Sequence, residues 1–317
     1  MDISVVVPLY NEAESLGELT GWIRRVMEEH EFTYEIIYID DGSDDGSWDV
    51  IRKLQEEDAA VKAIRFRKNY GKSAALHLGF KEVSGDVVVT MDADLQDSPE
   101  EIPDLYRMIH HDGYEFVSGW KKKRYDPISK TLPSKFFNKT ARIVTGIKLH
   151  DFNCGLKAYQ NNVVKSIEVY GEMHRYIPVL VKRAGFIHIG EKVVRHQKRK
   201  YGRTKFGLDR FIKGFLDLMS ITFITKFGKR PMHLFGTLGT LIFVLGFLAA
   251  LWLGGQKLYY LHHQIPARLV TESPYFYIAL ACMIIGTQLF VAGFLGELIS
   301  RSSESRNHYH IREKLNL

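Results

Sequence analysis

A short acidic segment near residue 95 carries side chains suited to binding a metal ion and a charged substrate. Asp92, Asp94, Gln96 and Asp97 directly follow an apolar, β-branched run at residues 87–91. Such a run is typical of a strand buried on both faces, and the carboxyl ends of these strands form the ligand sites of open α/β sheets. In an extended chain Asp92 and Asp94 would point the same way, whereas a turn would bring Asp94 and Gln96 to one cation. Oxygen ligands of this kind suit Mg²⁺ or Mn²⁺, with substrate phosphates completing the coordination.

Alternating segments in the first half of the chain must position these groups. We predict strands at residues 3–7, 34–39, 61–66 and 87–91, and helices at 11–29, 47–57 and 72–83. This alternation predicts βαβ units, an open, mostly parallel sheet and an α/β fold with helices on both faces. Ser98 and Pro99 then favour another helix start, with Ser98 as its cap.

Polar clusters follow each of the other three predicted strands. They are Pro-Leu-Tyr-Asn-Glu at 8–12, Asp-Asp-Gly-Ser-Asp-Asp-Gly-Ser at 40–47 and Arg-Lys-Asn-Tyr-Gly-Lys at 67–72. Parallel strands bring their carboxyl ends to one edge of the sheet, so the four clusters should meet there. Together they predict a site of nucleotide size.

Composition narrows the class of protein. The 317 residues carry a formal charge of +6 and only two cysteines, Cys154 and Cys282. Two cysteines alone cannot build a disulfide scaffold or a zinc cluster. The basic balance favours nucleic acid, an anionic membrane or phosphorylated substrates as partners. The N-terminus lacks a charged segment before its first strand, so we expect no signal peptide.

The last third of the chain has the composition of a membrane anchor. Apolar runs at 232–254 and 275–295 are long enough to cross a hydrocarbon core of about 30 Å. Aromatic residues of an interfacial belt gather near one pair of ends: Trp252, Tyr259, Tyr260, Tyr275 and Tyr277. The connecting loop has only Lys257 and Arg268, whereas the outer flanks have Lys226, Lys229, Arg230, Arg301, Arg306 and Arg312. This bias predicts a cytoplasmic location for both the first half and the C-terminus.

The motifs at the strand ends, taken together, resemble the inverting family 2 glycosyltransferases. They are V-V-V-P-L-Y-N-E, I-D-D-G-S-D-D-G-S, F-R-K-N-Y-G-K and D-A-D-L-Q-D-S-P-E. The chain is most similar to the branch that moves a sugar from a nucleotide to polyprenyl phosphate. That branch includes dolichyl-phosphate mannose synthase and bacterial undecaprenyl-phosphate glucosyl and formamidoarabinosyl transferases. The resemblance implies a GT-A fold, a nucleotide-sugar donor and a divalent metal ion.

The resemblance also implies roles for individual residues. It places the base and ribose against Pro8, Tyr10, Glu12 and Asp41, with Lys72 nearby. Asp92 would line the ribose–diphosphate site, and Asp94 and Gln96 would hold Mg²⁺ or Mn²⁺. In the segment Asp-Phe-Asn-Cys-Gly-Leu-Lys at 151–157, Asp151 stands at the position of the catalytic base, with a helix cap as the alternative.

Contacts to the donor diphosphate and acceptor phosphate are implied for a group of basic and hydroxyl residues. Lys121 stands where related sequences often have arginine, and it keeps the charge without the bidentate fork. The segment at 196–205 is similar to a His-x-x-Arg-x-x-Gly-x-Ser-Lys pattern, with threonine for serine. The residues implied are Lys121, Arg124, Ser134, Lys135, Arg199 and Lys205.

These inferences predict a membrane-anchored polyprenyl-phosphate glycosyltransferase of the bacterial inner membrane. We expect a catalytic domain at 1–205, amphipathic interfacial helices at 206–230, a two-helix anchor at 231–300 and a cytoplasmic tail at 301–317. For 206–230, packing against the catalytic domain is the alternative. Relatives suggest a homotetramer. By resemblance the leading donor is UDP-glucose, ahead of UDP-formamidoarabinose, UDP-GlcNAc and GDP-mannose.

Two other classes of function remain open. A processive polysaccharide synthase shares the nucleotide motifs but needs a Gln-x-x-Arg-Trp segment, and the nearest match, at 197–201, lacks the tryptophan. A non-catalytic membrane scaffold that binds nucleotide would show no metal dependence. A nucleic-acid binder is disfavoured because the cations cluster beside the apolar runs.

Overall fold

The computed structural model describes residues 1–122, 138, 141–143, 145–198, 200–201, 231–266, 268–302 and 311–316. The chain forms two compact units, each with most of its residue contacts within itself. One unit comprises Met1–Thr222 and Arg306–Leu317, and the other comprises Phe223–Ser305. The interfacial segment predicted at 206–230 lies outside the described residues.

The described part of the first unit contains an eight-stranded sheet and helices. The strands are β1 Ile3–Leu9, β2 Tyr34–Asp40, β3 Val61–Phe66, β4 Val87–Thr90, β5 Phe116–Trp120, β6 Lys157–Gln160, β7 Ile189–Val193 and β8 Ile311–Leu315. Their order across the sheet is β7-β5-β6-β4-β1-β2-β3-β8. The described helices are α1 Ala13–Glu29, α2 Ser47–Glu57, α3 Lys72–Glu82, α4 Ile102–His110, α5 Asn161–Ser166 and α6 Ile177–Arg183. Short 3₁₀ helices occupy Pro99–Glu101 and Met173–Tyr176.

The centre of the sheet is parallel, as the alternation of strands and helices predicted. β1 pairs in parallel with both β2 and β4, and β2 with β3. β6 runs antiparallel to β4 and β5, and β8 runs antiparallel to β3. The predicted α/β fold is confirmed, and β6 and β8 make the sheet mixed rather than purely parallel.

Helices cover both faces of the sheet because alternate strand residues point to opposite sides. Val5 and Val7 belong to a core cluster with Leu16 and Leu19 of α1. On the opposite face Gly79 of α3 lies so close to β1 that a Cβ there would be 2.5 Å from Cγ1 of Val6. The two faces are therefore both buried, which explains the continuous apolar strands.

The helix start at Ser98 differs in detail from the prediction. Ser98 has extended backbone angles, but its hydroxyl makes no capping hydrogen bond. The N–H of Glu101 donates instead to the Ser98 carbonyl at 3.2 Å. Ser98 is therefore the N-cap residue, as predicted, but the 3₁₀ turn that begins this segment is closed by the backbone and not by the serine hydroxyl.

The second unit contains two long apolar helices. α7 spans Pro231–His262 and α8 spans Pro274–Ser302, with a 3₁₀ turn at Val270–Glu272 between them. Met232–His262 and Pro274–Gly296 are long and apolar enough to cross a membrane. Leu241 and Leu245 of α7 are more than half exposed, at 58% and 59%. Apolar side chains on the outside of such helices suit contact with lipid.

Glycines allow the two helices to touch backbone to backbone. A Cβ at Gly239 would lie 2.5 Å from the carbonyl oxygen of Gly286, and one at Gly286 would lie 2.6 Å from that of Gly239. At Gly246 a Cβ would lie 2.7 Å from the carbonyl oxygen of Ala279. In a bilayer the hydrophobic effect does not drive apolar helices together, so close packing at small residues is a main source of their association.

Replacing one of these glycines should separate the helices. Gly239→Val should lower the melting temperature of the detergent-solubilised protein, because overpacking typically costs about 1–3 kcal/mol. Gly254→Val is the matched control, since nothing lies within 4 Å of a Cβ at Gly254 on the same helix. Thermal unfolding followed by tryptophan fluorescence measures both. Equal losses in the two variants would contradict the close helix contact.

Candidate active site

The loops that follow β1 and β2 are joined by hydrogen bonds. The N–H of Asn11 donates to Oγ of Ser43 at 2.9 Å, and the N–H of Glu12 donates to Oγ of Ser47 at 3.0 Å. The N–H of Asp44 returns a bond to Oδ1 of Asn11 at 3.0 Å. The loop hydroxyls and amides therefore hold two of the four predicted clusters in one fixed arrangement.

The loop after β3 packs against the same arrangement through Gly42 and Asp41. Gly42 has φ +76°, and a Cβ there would lie 2.6 Å from the carbonyl carbon of Lys68. The Asp41 carboxylate accepts N–H groups of Tyr70 at 2.6 Å and Gly71 at 2.9 Å. A side chain larger than hydrogen at Gly42 would break this contact as well as strain the backbone.

Burial changes the pKa of the Asp41 carboxyl. Asp41 is only 4% exposed. Loss of solvation raises the pKa of Asp41 to about 6, although the N–H groups of Tyr70 and Gly71 act to lower it. A ligand that donates a hydrogen bond to Asp41 would favour the ionised form at neutral pH.

Lys72 and Asp92 link the loop after β3 to the loop after β4. Lys72 opens α3, and its ammonium pairs with Oδ1 of Asp92. Burial acts to raise the pKa of Asp92, but Lys72, Lys121 and Lys157 outweigh it and lower that pKa. Gly155 leaves room for the carboxylate, because a Cβ there would lie 2.6 Å from Oδ2 of Asp92.

Asp94 and Gln96 lie in one tight turn rather than on an extended strand. Leu95 between them has φ +59°, and the N–H of Gln96 donates to Oδ1 of Asp94 at 3.2 Å. This is the turn that the sequence allowed as an alternative. No group of three His, Cys, Asp or Glu side chains suited to a metal occurs among the described residues. One carboxylate and one amide oxygen fit an ion such as Mg²⁺ or Mn²⁺ that draws its remaining ligands from phosphate and water.

The basic segment after β7 contacts this turn through the backbone. The N–H of Gln197 donates to the Gln96 carbonyl at 2.9 Å, and His196 forms an isolated β-bridge with Asp97. Nε2 of Gln96 also donates to the Gln197 carbonyl at 3.4 Å. Sequence reasoning placed residues 196–205 near phosphate but did not foresee this direct pairing with the acidic turn.

Lys121 is engaged in an ion pair with Asp97. Its Nζ lies 2.6 Å from Oδ1 of Asp97, and both side chains are largely buried. Burial acts to lower the pKa of Lys121, but the neighbouring groups, chiefly Asp97 together with Cys154 and Asp92, outweigh it and raise that pKa. Contact with a phosphate would therefore compete with an existing carboxylate partner. Lys157 also lies beneath the site and donates to the carbonyl of Cys154.

Asp151 lies in a buried turn that Glu191 of β7 holds in place. Asp151 is 1% exposed, and its Oδ1 accepts the N–H of Asn153 at 3.1 Å. Oε1 of Glu191 accepts the N–H of His150 at 2.7 Å and that of Asp151 at 3.0 Å. Oε2 of Glu191 lies 2.7 Å from Nδ1 of His150. Neither the turn nor Glu191 could be inferred from sequence, because their contact joins segments 40 residues apart.

The remaining predicted site residues fall into two groups. Pro8 is buried within β1. The pairing of β1 with β4 ends at Val6, so the N–H that proline lacks removes no hydrogen bond between these two strands. Tyr10 and Glu12 are partly exposed at the end of β1. The other residues lie outside the described part of the chain: Arg124, Ser134, Lys135, Arg199 and Lys205.

Similarity to known proteins agrees with this geometry. A family model described as glycosyl transferase family 2 matches residues 4–168. The chain belongs to glycosyl transferase family 2. A dodecaprenyl-phosphate galacturonate synthase of Rhizobium johnstonii is 33% identical over 321 residues, which cover 99% of this chain and 93% of that protein. An undecaprenyl-phosphate 4-deoxy-4-formamido-L-arabinose transferase of Shewanella sediminis is 33% identical over 318 residues, covering 99% and 92%.

Solved structures show the same fold. Mannosyl-3-phosphoglycerate synthase from Rubrobacter xylanophilus matches with TM-score 0.57 and 17% identity, over 70% of this chain and 74% of that one. Glucosyl-3-phosphoglycerate synthase from Mycobacterium tuberculosis, in complex with Mn²⁺ and UDP-glucose, matches with TM-score 0.52 and 20% identity, over 71% and 78%. The predicted family and its GT-A type of fold are confirmed, and this chain is a glycosyltransferase.

The raised pKa of Asp41 predicts a pH-dependent stability. In the unfolded chain an aspartate ionises near pH 4, whereas in the folded protein Asp41 ionises near pH 6. The stabilising contribution of the neutral carboxyl is therefore complete below about pH 4 and is lost as the pH rises through about 6. Asp41→Asn removes this contribution, so wild-type melting temperature should fall relative to the variant between about pH 4 and 6. A difference that stays constant across this range would contradict the assignment.

The bonds made by Glu191 predict that it controls the Asp151 turn. Glu191→Ala leaves two N–H groups without their acceptor, at a cost of about 1–3 kcal/mol. We expect a fall in kcat of about ten- to a hundredfold with little change in the Michaelis constant for donor. Glu191→Gln keeps an oxygen acceptor and is the matched control, expected to retain most activity. Parallel loss of donor affinity in Glu191→Ala would show a general structural role instead.

Proposed function

We propose that this glycosyltransferase moves a sugar from a nucleotide-sugar donor to polyprenyl phosphate. The product would be a polyprenyl-monophosphate sugar, formed with inversion at the anomeric carbon. The observation that carries the proposal is the near-full-length similarity to two transferases named for lipid-phosphate products. That similarity extends through both apolar helices, beyond the part matched by the family model.

The donor we propose is a UDP-sugar. The names of the two relatives refer to galacturonate and to formamidoarabinose, and both relatives are 33% identical to this chain. We therefore prefer the UDP derivatives of these two sugars as donors over UDP-glucose, which the family resemblance had favoured. Equal identity gives no reason to rank one relative's sugar above the other's.

The acceptor explains why the site needs positive charge more than a strong base. A phosphate monoester carries about −1.5 to −2 charges at pH 7, so its oxygen is already a nucleophile. The protein has to hold this anion in line with a donor that carries a diphosphate. Lys72 and Lys157 supply positive charge around Asp92, and Asp151 would orient the acceptor or receive a residual proton.

A divalent ion is part of the proposal. Asp94 and Gln96 would hold Mg²⁺ or Mn²⁺, and the ion would neutralise charge on the departing diphosphate. A solved neighbour of the same fold contains Mn²⁺ with UDP-glucose. Asp94 and Gln96 belong to the tight turn around Leu95, in which Oδ1 of Asp94 accepts the N–H of Gln96 at 3.2 Å.

The topology of the chain supports the proposal that both ends of the two-helix anchor lie on the same side of the membrane. β8 follows α8 and pairs with β3, so the chain before α7 and the chain after α8 belong to one sheet. We propose that this side is the cytoplasm of a bacterial inner membrane, as the distribution of lysine and arginine predicts. A homotetramer remains a prediction from the resemblance.

A transfer assay with a panel of labelled donors tests the function. Purified protein is incubated with undecaprenyl phosphate, Mg²⁺ and UDP-galacturonate, UDP-formamidoarabinose, UDP-glucose, UDP-GlcNAc or GDP-mannose. The label should enter an organic-extractable lipid monophosphate from one of the UDP-sugars. Entry into polymer would identify a polysaccharide synthase, and retention of all label in water would favour a nucleotide-binding scaffold.

Asp94→Asn provides the metal test within the same assay. The substitution is nearly isosteric and should leave the melting temperature unchanged while reducing transfer at least about tenfold, a loss seen even for outer partners of metal sites. Raising Mg²⁺ or Mn²⁺ should recover part of the activity if weakened ion binding is the cause. Wild-type turnover in Asp94→Asn at low Mg²⁺ would contradict the assignment of the metal site.

A further inference from the structure

The C-terminal strand is joined to the donor-side loops by a chain of side-chain contacts. In the antiparallel pairing of β8 with β3, Glu313 lies opposite Arg65. Oε2 of Glu313 accepts the indole N–H of Trp48 at 3.0 Å, and Oε1 lies 3.1 Å from the guanidinium of Arg52. Trp48 is only 2% exposed and belongs to the first turn of α2.

Arg65 carries the connection from Trp48 to the loop after β2. Its guanidinium lies 5.8 Å from the centre of the Trp48 ring, within the range of a cation–π contact. The same guanidinium donates to the carbonyl of Ser43 at 2.8 Å and lies 3.3 Å from Oδ2 of Asp40. Ser43 in turn accepts the N–H of Asn11, so the contacts extend from the tail to the loop after β1.

Each contact in this series has a physical reason to persist. The Asp40 carboxyl is fully buried, and Arg65 is the cation that balances it. The Trp48 indole N–H needs an acceptor because its residue is buried, and Glu313 supplies one. Removing Glu313 leaves this donor unsatisfied and takes away the carboxylate that pairs with Arg52.

We propose that Glu313 is a positioning residue for the donor site, acting through Trp48 and Arg65 on the loop at 40–47. The C-terminal segment is then part of the nucleotide-binding machinery as well as the end of the membrane anchor. This proposal rests on the proposed function only in assigning the loop to the donor nucleotide. The support of the loop by the tail is a separate, directly measurable property.

The same strand offers a matched control. Lys314 points to the other face of the sheet and pairs with Glu82 at the end of α3, at 2.8 Å. This ion pair also fastens β8 to the sheet but makes no contact with Trp48 or Arg65. Lys314→Ala therefore removes one tail contact without breaking the chain of contacts to the loop.

Two measurements on the full-length protein in detergent test the proposal. Hydrogen–deuterium exchange at the amides of residues 41–47 should accelerate about three- to tenfold in Glu313→Ala. The Kd for UDP with Mg²⁺ should rise by about the same factor. Lys314→Ala should change neither by more than about twofold, and Glu313→Gln should recover much of the effect because its amide oxygen still accepts the indole N–H.

The outcomes separate this inference from the proposed function. Wild-type exchange in Glu313→Ala, or equal acceleration in Lys314→Ala, would overturn the positioning role. If wild-type protein does not bind UDP, the donor assignment fails while the exchange experiment still decides the role of the tail. If Glu313→Ala does not fold, Trp48→Phe removes the same N–H donor and should accelerate exchange at residues 41–47 alone.

Discussion

Each carboxylate that the sheet buries at its strand ends has to be matched by a cation or by backbone N–H groups. For Asp40, Asp41 and Asp92, at least one such partner comes from a different segment. Asp40 is matched by Arg65 of the next strand, and Asp41 by the N–H groups of the loop after that strand. Asp92, whose side chain is 35% exposed, is matched by Lys72 at the start of α3. Charge compensation therefore ties the loops to one another, and the site is organised before any ligand enters.

Features with a local physical cause could be predicted from the sequence. The bounds of α2 and β3 agree with the expected ones, because amphipathic and β-branched segments encode them directly. Asp41 and Asp92 were located correctly at strand ends, since a buried run of apolar residues must end where the polar residues begin. The two apolar helices followed from length and composition alone.

Features that depend on contacts between distant segments could not be predicted. The family resemblance implies a phosphate contact for Lys121, and only the fold shows that its ammonium is already paired with Asp97. The sequence also allowed two arrangements of Asp94, and the positive φ of Leu95 selects the turn. β8 has apolar residues only at its two ends, so its five residues carry no strand periodicity. It pairs with β3, whose edge is open, and the paired residues Phe66 and Ile311 are 245 positions apart in the sequence.

The place of β8 in the sheet has a consequence for the order in which the protein is made. β8 follows both apolar helices in the chain, so β3 is synthesised about 245 residues before the strand that pairs with it. Until β8 is synthesised, β3 is an edge strand with unpaired backbone groups, a form that invites association with other chains. The edge of the sheet at β3 can therefore close only after both apolar helices have been synthesised.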